Sequence, residues 1–287
     1  MPTLKEYNIK LTRLRNTHKM TKTMKMVSAN KLRKAQEVHR KAMDFADRLN
    51  GLAIHLSLDK DLQSHPFFAE RPVSRARILV ITSERGLCGG FNNNLNKKVA
   101  RWIAGKSAHG SQVEVSFCGR KGFVHFRKRV HALDHYEGVT LKPAFADAVR
   151  IGTDLRNAFL DGKVDEVYLA YNVSSSALSH TPVIERLLPV EHPKVVVETA
   201  GTGTWIVEPA GPEFVDAFIP RFVDMKIFYA LLCNSMGEHG ARMAAMDSAT
   251  RNAEKLIGVN TLLMNRARQS KITTELIEIV AGAEALR

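Results

Sequence analysis

No proline falls between Pro2 and Pro66, and the only glycine in that interval is Gly51. A stretch so poor in helix breakers, with apolar residues stepping by three and four, predicts a single helix of about fifty-five residues, about 80 Å long at 1.5 Å per residue. The step runs through Leu4, Tyr7, Leu11 and Leu14 and resumes through Leu32, Ala35, Ala42, Ala46, Leu49, Ala53 and Leu56. That is a coiled-coil seam. Between His18 and Ser28 the seam turns polar, while Met20, Met24 and Val27 form a displaced apolar stripe. Here the helix is expected to face something other than its coiled-coil partner. The tail repeats the step through Phe218, Phe222, Met225, Tyr229, Leu232, Met236, Met243, Met246, Ala253, Ile257, Met264 and Ala267, with Pro220 at a first turn or a kink. Each helix alone would strand its apolar stripe, so the two are expected to pair as an antiparallel left-handed coiled coil.

Between the helices the pattern changes. Arg77–Ser83, Val113–Cys118, Glu166–Asn172 and Trp205–Glu208 have the β-branched, apolar character of buried strands, and Pro182 to Pro193 reads as a further strand with loop ends. Helical stretches near 91–104 and 144–161 separate the first three. This alternation predicts an α/β domain with a mostly parallel sheet and helices on its faces. The chain therefore divides into an N-terminal coiled-coil helix at 1–60, a central α/β domain at 75–208 and a C-terminal coiled-coil helix at 212–287.

Charge singles out the first helix. Residues 1–50 hold 13 Lys/Arg against 4 Asp/Glu, whereas residues 212–287 hold 9 of each, so most of the formal net charge of +13 sits at the start. Such a stripe suits an acidic partner, whether nucleic acid, a membrane surface or an acidic protein face. A coiled-coil nucleic-acid-binding protein is the alternative reading, but few aromatic residues accompany Lys19, Lys22, Lys25, Lys31, Arg33 and Lys34, and no nucleic-acid module is recognisable. The chain has no run of 18 apolar residues and no compact apolar stretch of a signal peptide, which predicts a soluble, unexported protein.

Several features carry chemistry elsewhere and do not carry it here. SERGLCGGFN, residues 83–92, places Gly86, Gly89 and Gly90 between a strand and a helix, where backbone N–H groups can meet a phosphate. Its spacing fits neither the dinucleotide fingerprint nor the P-loop, so it reads as a tight turn that needs glycine conformations. His125, His131, Asp134 and His135 are flanked by Arg127, Lys128 and Arg129, which repel a cation; they read as a solvated face. Ser174, Ser175, Ser176 and His180 lack a nucleophile-elbow pattern. Cys88, Cys118 and Cys233 form no Cys-x-x-Cys pair and read as small packing residues. No catalytic residue, cofactor or metal site is expected.

Three separated segments then carry a family resemblance. NTHKMTKTMKMVSANKLRKAQ (16–36), EHGARMAAMDSAT (238–250) and NRARQSKITTELIEIVAGAEAL (265–286) resemble the terminal signatures of the gamma subunit of bacterial F-type ATP synthase, and SERGLCGGFN resembles the family's central turn. The resemblance departs at His18, Met20, Thr23 and Glu84, and at Gly237 and Gly240, where Ser and Ala are frequent. Each of those glycines is expected to cost roughly 1 kcal/mol of helix stability relative to Ala.

The resemblance implies a Rossmann-like central domain and a non-catalytic rotor, whose shaft sits among alpha and beta subunits and whose foot meets epsilon and the c-ring. It implies a peripheral protein at the cytoplasmic face of the inner (plasma) membrane, with no nucleic acid. A basic face with Lys22, Lys25, Lys31, Arg33 and Lys34 would meet an acidic tip on beta. Met24 would lie opposite Arg242, and Arg268 with Gln269 would contact a beta loop. Apolar Ile277, Ile279, Val280, Ala281, Ala283, Ala285 and Leu286 would suit a greasy bearing.

Overall fold

The computed structural model describes residues 3–57, 62, 65–174, 179–190 and 211–284. The chain falls into two compact units, one of residues 1–29 with 242–287 and one of residues 30–241. Two long helices contribute to both: α1 (Leu4–Ser57) and α5 (Pro212–Glu284). A capping box opens α1. Thr3 N–H donates to Glu6 Oε2 at 2.9 Å and Glu6 N–H donates to Thr3 Oγ1 at 3.3 Å, so two of the helix's unpaired donors are satisfied reciprocally.

Within the unit of residues 30–241 the elements run β1 (Arg75–Ile81), α2 (Phe91–Ala108), β2 (Gln112–Cys118), α3 (Arg120–Phe126), β3 (His131–Tyr136), α4 (Phe145–Leu160), β4 (Glu166–Ser174) and β5 (His180–Leu188), followed by the first part of α5. The sheet order is β3-β2-β1-β4-β5. β1 pairs parallel with both β2 and β4, β2 pairs parallel with β3, and β5 alone is antiparallel, against β4. β1 is buried from Ala76 to Ile81 because helices cover both sheet faces, which is why its sequence is a continuous apolar run.

The pleat sends alternate residues to two cores. Leu79 and Ile81 join Val167 and Leu169 against α4 and α5, whereas Ile78 and Val80 join Leu95, Val99 and Phe117 on the α2 and α3 side. Pro220 lies inside α5 rather than in its first turn. α1 also meets α5 in this unit: His39 Nε2 lies 3.2 Å from Cys233 Sγ, and Ala42 packs with Met225 and Leu232. Burial lowers the His39 pKa and pushes the Cys233 thiol up to about 12.

The sheet contains one strand more than the sequence revealed on its far edge. His131, Asp134 and His135 belong to β3 and His125 to α3; of the expected solvated face, His131 and Asp134 are exposed whereas His125 and His135 are half-buried. His135 stacks on Phe123 with ring centroids 4.4 Å apart, and Tyr136 is buried. The expected strand at Trp205–Glu208 lies outside the described residues.

The other unit is an antiparallel helix pair. Thr250 Oγ1 donates to Thr21 Oγ1 at 2.8 Å, and Lys25 Nζ stands 2.6 Å from Asp247 Oδ1, so as α1 advances α5 recedes. Leu11, Met246 and Ala253 are buried here, together with Thr21, Ser28 and Asn260. This corrects the reading of residues 18–28. The seam turns polar without leaving its partner, because the facing hydroxyls bond each other and each also has a carbonyl of its own helix within reach, His18 from Thr21 at 3.1 Å and Met246 from Thr250 at 2.7 Å, which removes the penalty of burying them. The displaced stripe is exposed at Met20 and Val27 and half-buried at Met24.

Candidate partner-facing surface

In open, mostly parallel sheets, ligands bind beyond the carboxyl ends of the strands, at the point where strand order reverses. Here that point lies between β1 and β4, and α5 of the same chain occupies it. Asn234 Nδ2 donates to the carbonyl of Thr82, just past β1, at 3.2 Å. A Cβ placed on Gly237 would stand 2.8 Å from Ser174 Oγ, the last residue of β4.

The glycine turn is closed on itself as well. Ser83 N–H donates to Asn92 Oδ1 at 3.0 Å, and Asn92 Nδ2 returns a hydrogen bond to Ser83 Oγ at 2.7 Å. Glu84 accepts from the backbone N–H groups of Arg120 at 3.1 Å and Gly138 at 2.9 Å, tying the turn to α3 and to the loop after β3. Of its three glycines only Gly89 takes the left-handed conformation, at φ 58°; Leu87, a residue disfavoured there, takes it at φ 65°.

Ser174 Oγ and His180 Nδ1 are 2.9 Å apart, but this pair lies under α5 and against the edge of the Phe91 ring. Both side chains are half-buried and serve as packing for α5. No cluster of potential metal ligands occurs among the described residues.

The helix pair has the opposite character. Lys22 is exposed, and Arg268 and Gln269 are exposed on α5. Lys25 is half-exposed and pairs with Asp247, which also meets Arg251 Nη1 at 2.6 Å; the hydrogen bond from Lys25 is the main cause holding the Asp247 carboxyl below its usual range. Lys25 is therefore an intramolecular partner first. Arg242 is buried. Residues level on the two helices have numbers summing to about 271, which sets Asp247 or Ser248 beside Met24 and Arg242 some 8 Å farther along at about 1.5 Å per residue. Lys31, Arg33 and Lys34 are exposed on the part of α1 that belongs to the other unit.

The exposed cations accompany exposed apolar residues. Met20 and Met26 on α1, and Ile272, Leu276, Ile277, Ile279 and Val280 on α5, are all at least 50% exposed. Every described side chain from Arg268 to Ala283 is exposed. A soluble chain on its own rarely leaves so much apolar surface open to water.

Residues 3–286 match the family model described as ATP synthase. ATP synthase gamma chains of Geobacter metallireducens and an Anaeromyxobacter species are 38% and 40% identical, each over the full length of both chains. The chain belongs to the ATP synthase gamma-chain family. The fold agrees: a chain of the Euglena gracilis mitochondrial ATP synthase, captured with its c-ring in one rotational state, superposes with a TM-score of 0.68 at 19% identity, covering 99% of this chain and 94% of that one. Membership of the gamma-chain family accords with a sheet whose ligand crevice is filled from within.

Sequence reasoning missed Asp247, Thr250 and Asn234 as structural partners. Asp247 and Arg251 are spaced i, i+4, a signal visible in the sequence. The other two needed the tertiary pairing.

Proposed function

We propose that the chain is the central rotor shaft of an F-type ATP synthase, coupling proton or sodium flow through a c-ring to conformational change at catalytic sites on beta subunits. The exposed apolar run of Ile272 to Val280 on α5, one turn beyond the exposed Arg268, is the observation that supports this most directly. An isolated soluble protein gains nothing from exposing such a run, whereas a shaft enclosed by partners can turn against it. A pair of helices has no threefold symmetry. Inside a ring of three beta subunits it presses on each differently, so at any instant their nucleotide sites differ in affinity, and rotation passes each through every state.

In this reading Lys22, Lys31, Arg33 and Lys34 supply a screened field toward an acidic beta surface, with Lys25 contributing less because Asp247 shares its charge. Met24 rides beside that face. Arg268 and Gln269 reach a beta loop, alpha subunits complete the ring, and epsilon and the c-ring hold the other end. The chain works at the cytoplasmic face of the membrane as a peripheral subunit; among the described residues no helix is long and apolar enough to cross it. The test is addition of the purified chain to alpha and beta subunits of a relative. Restored Mg-ATP hydrolysis with the chain retained in the complex is the expected result. Failure to co-purify, or retention of nucleic acid in place of alpha and beta, would overturn the reading.

A further inference from the structure

Within the unit of residues 30–241, α5 is gripped at two places where the approach is too close for an ordinary side chain. At Gly237 a Cβ would stand 2.8 Å from Phe91 Cε2, 2.8 Å from Ser174 Oγ and 3.3 Å from His180 Nδ1. Phe91 opens α2, Ser174 closes β4 and His180 opens β5, so three elements at the carboxyl edge of the sheet bear on one helical position. Asn234, one turn earlier on the same face, adds its hydrogen bond to Thr82.

The second grip is on α4. There a Cβ on Gly152 would overlap the carboxylate of Asp224 on α5. Arg156, one turn on from Gly152, pairs with that carboxylate and also donates to the Pro220 carbonyl at 2.9 Å and to Thr153 Oγ1 at 3.1 Å. Both charged residues are buried, so the pair is held by several bonds in a site from which water is excluded.

Asp224 and Gly237 are separated along α5 by on the order of 20 Å and lie about 140° apart around its axis at 100° per residue. One contact would leave a helix free to swivel about it. Two, spaced along the axis and on different sides, block both sliding and rotation.

We infer that Gly237, against Phe91, Ser174 and His180, together with Gly152 and the Arg156–Asp224 pair, locks α5 to the sheet as one torque-bearing body. The inference rests on the shaft reading, in which force applied to the sheet-bearing part must turn α5 without slip. Gly237 and Arg156 are positioning residues: neither meets a nucleotide, and both fix the angle of the helix relative to the sheet.

The test uses the whole membrane complex carrying this chain, reconstituted in vesicles, with ATP hydrolysis and proton uptake measured together. Gly237→Val is expected to keep most hydrolysis while pumping per ATP falls several-fold. Gly237→Ala displaces the contact less and should show a smaller fall in the same ratio; it also serves where the valine variant does not assemble. Adding Ser174→Gly to Gly237→Ala removes one of the two atoms that the new methyl meets at 2.8 Å and should restore the ratio in part, since Phe91 Cε2 remains. Gly258→Ala, at a helical glycine with open space around it, should match wild type. Unchanged pumping per ATP in both Gly237 variants, or an equal loss in Gly258→Ala, would overturn the lock while leaving the shaft reading intact. A wild-type chain that supports neither hydrolysis nor pumping would instead overturn the shaft reading.

Discussion

The sheet-bearing unit and the helix pair bury apolar surface in opposite ways. In the first, Leu79, Ile81, Phe117, Phe126 and Phe159 are almost wholly enclosed, and the two cores cover both faces of the sheet. In the second, the seam contains Thr21, Ser28 and Asn260, while Met20, Met26, Ile277 and Ile279 face outward. The first unit satisfies itself. The second keeps Leu11, Met246 and Ala253 inside with those polar groups and leaves a larger set of apolar side chains facing outward, the arrangement expected where partner subunits cover them.

Truncations give the largest expected contrast. Leu79→Ala should cost the isolated chain about 2–5 kcal/mol in denaturant unfolding, because it empties a packed core position. Leu276→Ala should leave that stability within about 0.5 kcal/mol yet lower recovery of the chain with alpha and beta subunits. Equal destabilisation by the two would remove the distinction.

A smaller difference separates kinds of charge on the partner surface. Arg268→Ala should weaken assembly by about 1.5–3 kcal/mol with little relief from salt, if its guanidinium meets a beta acceptor away from water. Exposed ion pairs are worth about 0–1 kcal/mol each. Replacing Lys22, Lys25, Lys31, Arg33 and Lys34 together should therefore reduce assembly mainly at low ionic strength and resemble wild type at high salt. Identical salt dependence in the two variants would refute a screened stripe beside a buried anchor.

What the sequence disclosed follows from how local each signal is. The long helices were readable because the three-and-four step and the lack of proline act residue by residue, and β1 because a strand covered on both faces must be continuously apolar. β3 escaped notice: His131, Leu133 and Asp134 are exposed at a sheet edge, so the strand carries little apolar pattern. The polar seam was misread because a threonine hydroxyl looks solvent-seeking until its partner is known, and Thr250 is distant in sequence from Thr21. Gly237 looked like a weak point in a helix. Its value appears only when Phe91 and Ser174 are placed against it.

The hydroxyl pair offers a finer test. Thr250→Val alone removes the bond between the helices but leaves Thr21 Oγ1 donating to the His18 carbonyl at 3.1 Å, so it should cost about 0.5–1.5 kcal/mol, and Thr21→Val with Thr250→Val should cost no more than the single change. Thermal unfolding of the single and double variants measures this; additive losses would show that the two hydroxyls do not interact.

The smallest effect is expected from pH. Burial lowers the pKa of His39 and His180, so the folded unit keeps both neutral while the unfolded chain takes up protons near pH 6.5. Stability from these groups is present above that value and declines as pH falls toward the folded-state pKa values. Amide exchange in β4 and β5 should quicken modestly between pH 7.5 and 5.5, after correction for intrinsic rates, and His180→Phe should flatten the trend. A steeper trend in that variant would contradict the assignment.

The central claim is that this chain turns while its partners catalyse. Lys97, exposed on α2, can be replaced by cysteine and labelled with a bead, since Cys88, Cys118 and Cys233 are buried. With alpha and beta subunits fixed to a surface and Mg-ATP supplied, the account predicts stepwise rotation of the bead in one direction, stopping when ATP is exhausted. A complex that retains the labelled chain and hydrolyses ATP while the bead stays still would contradict it.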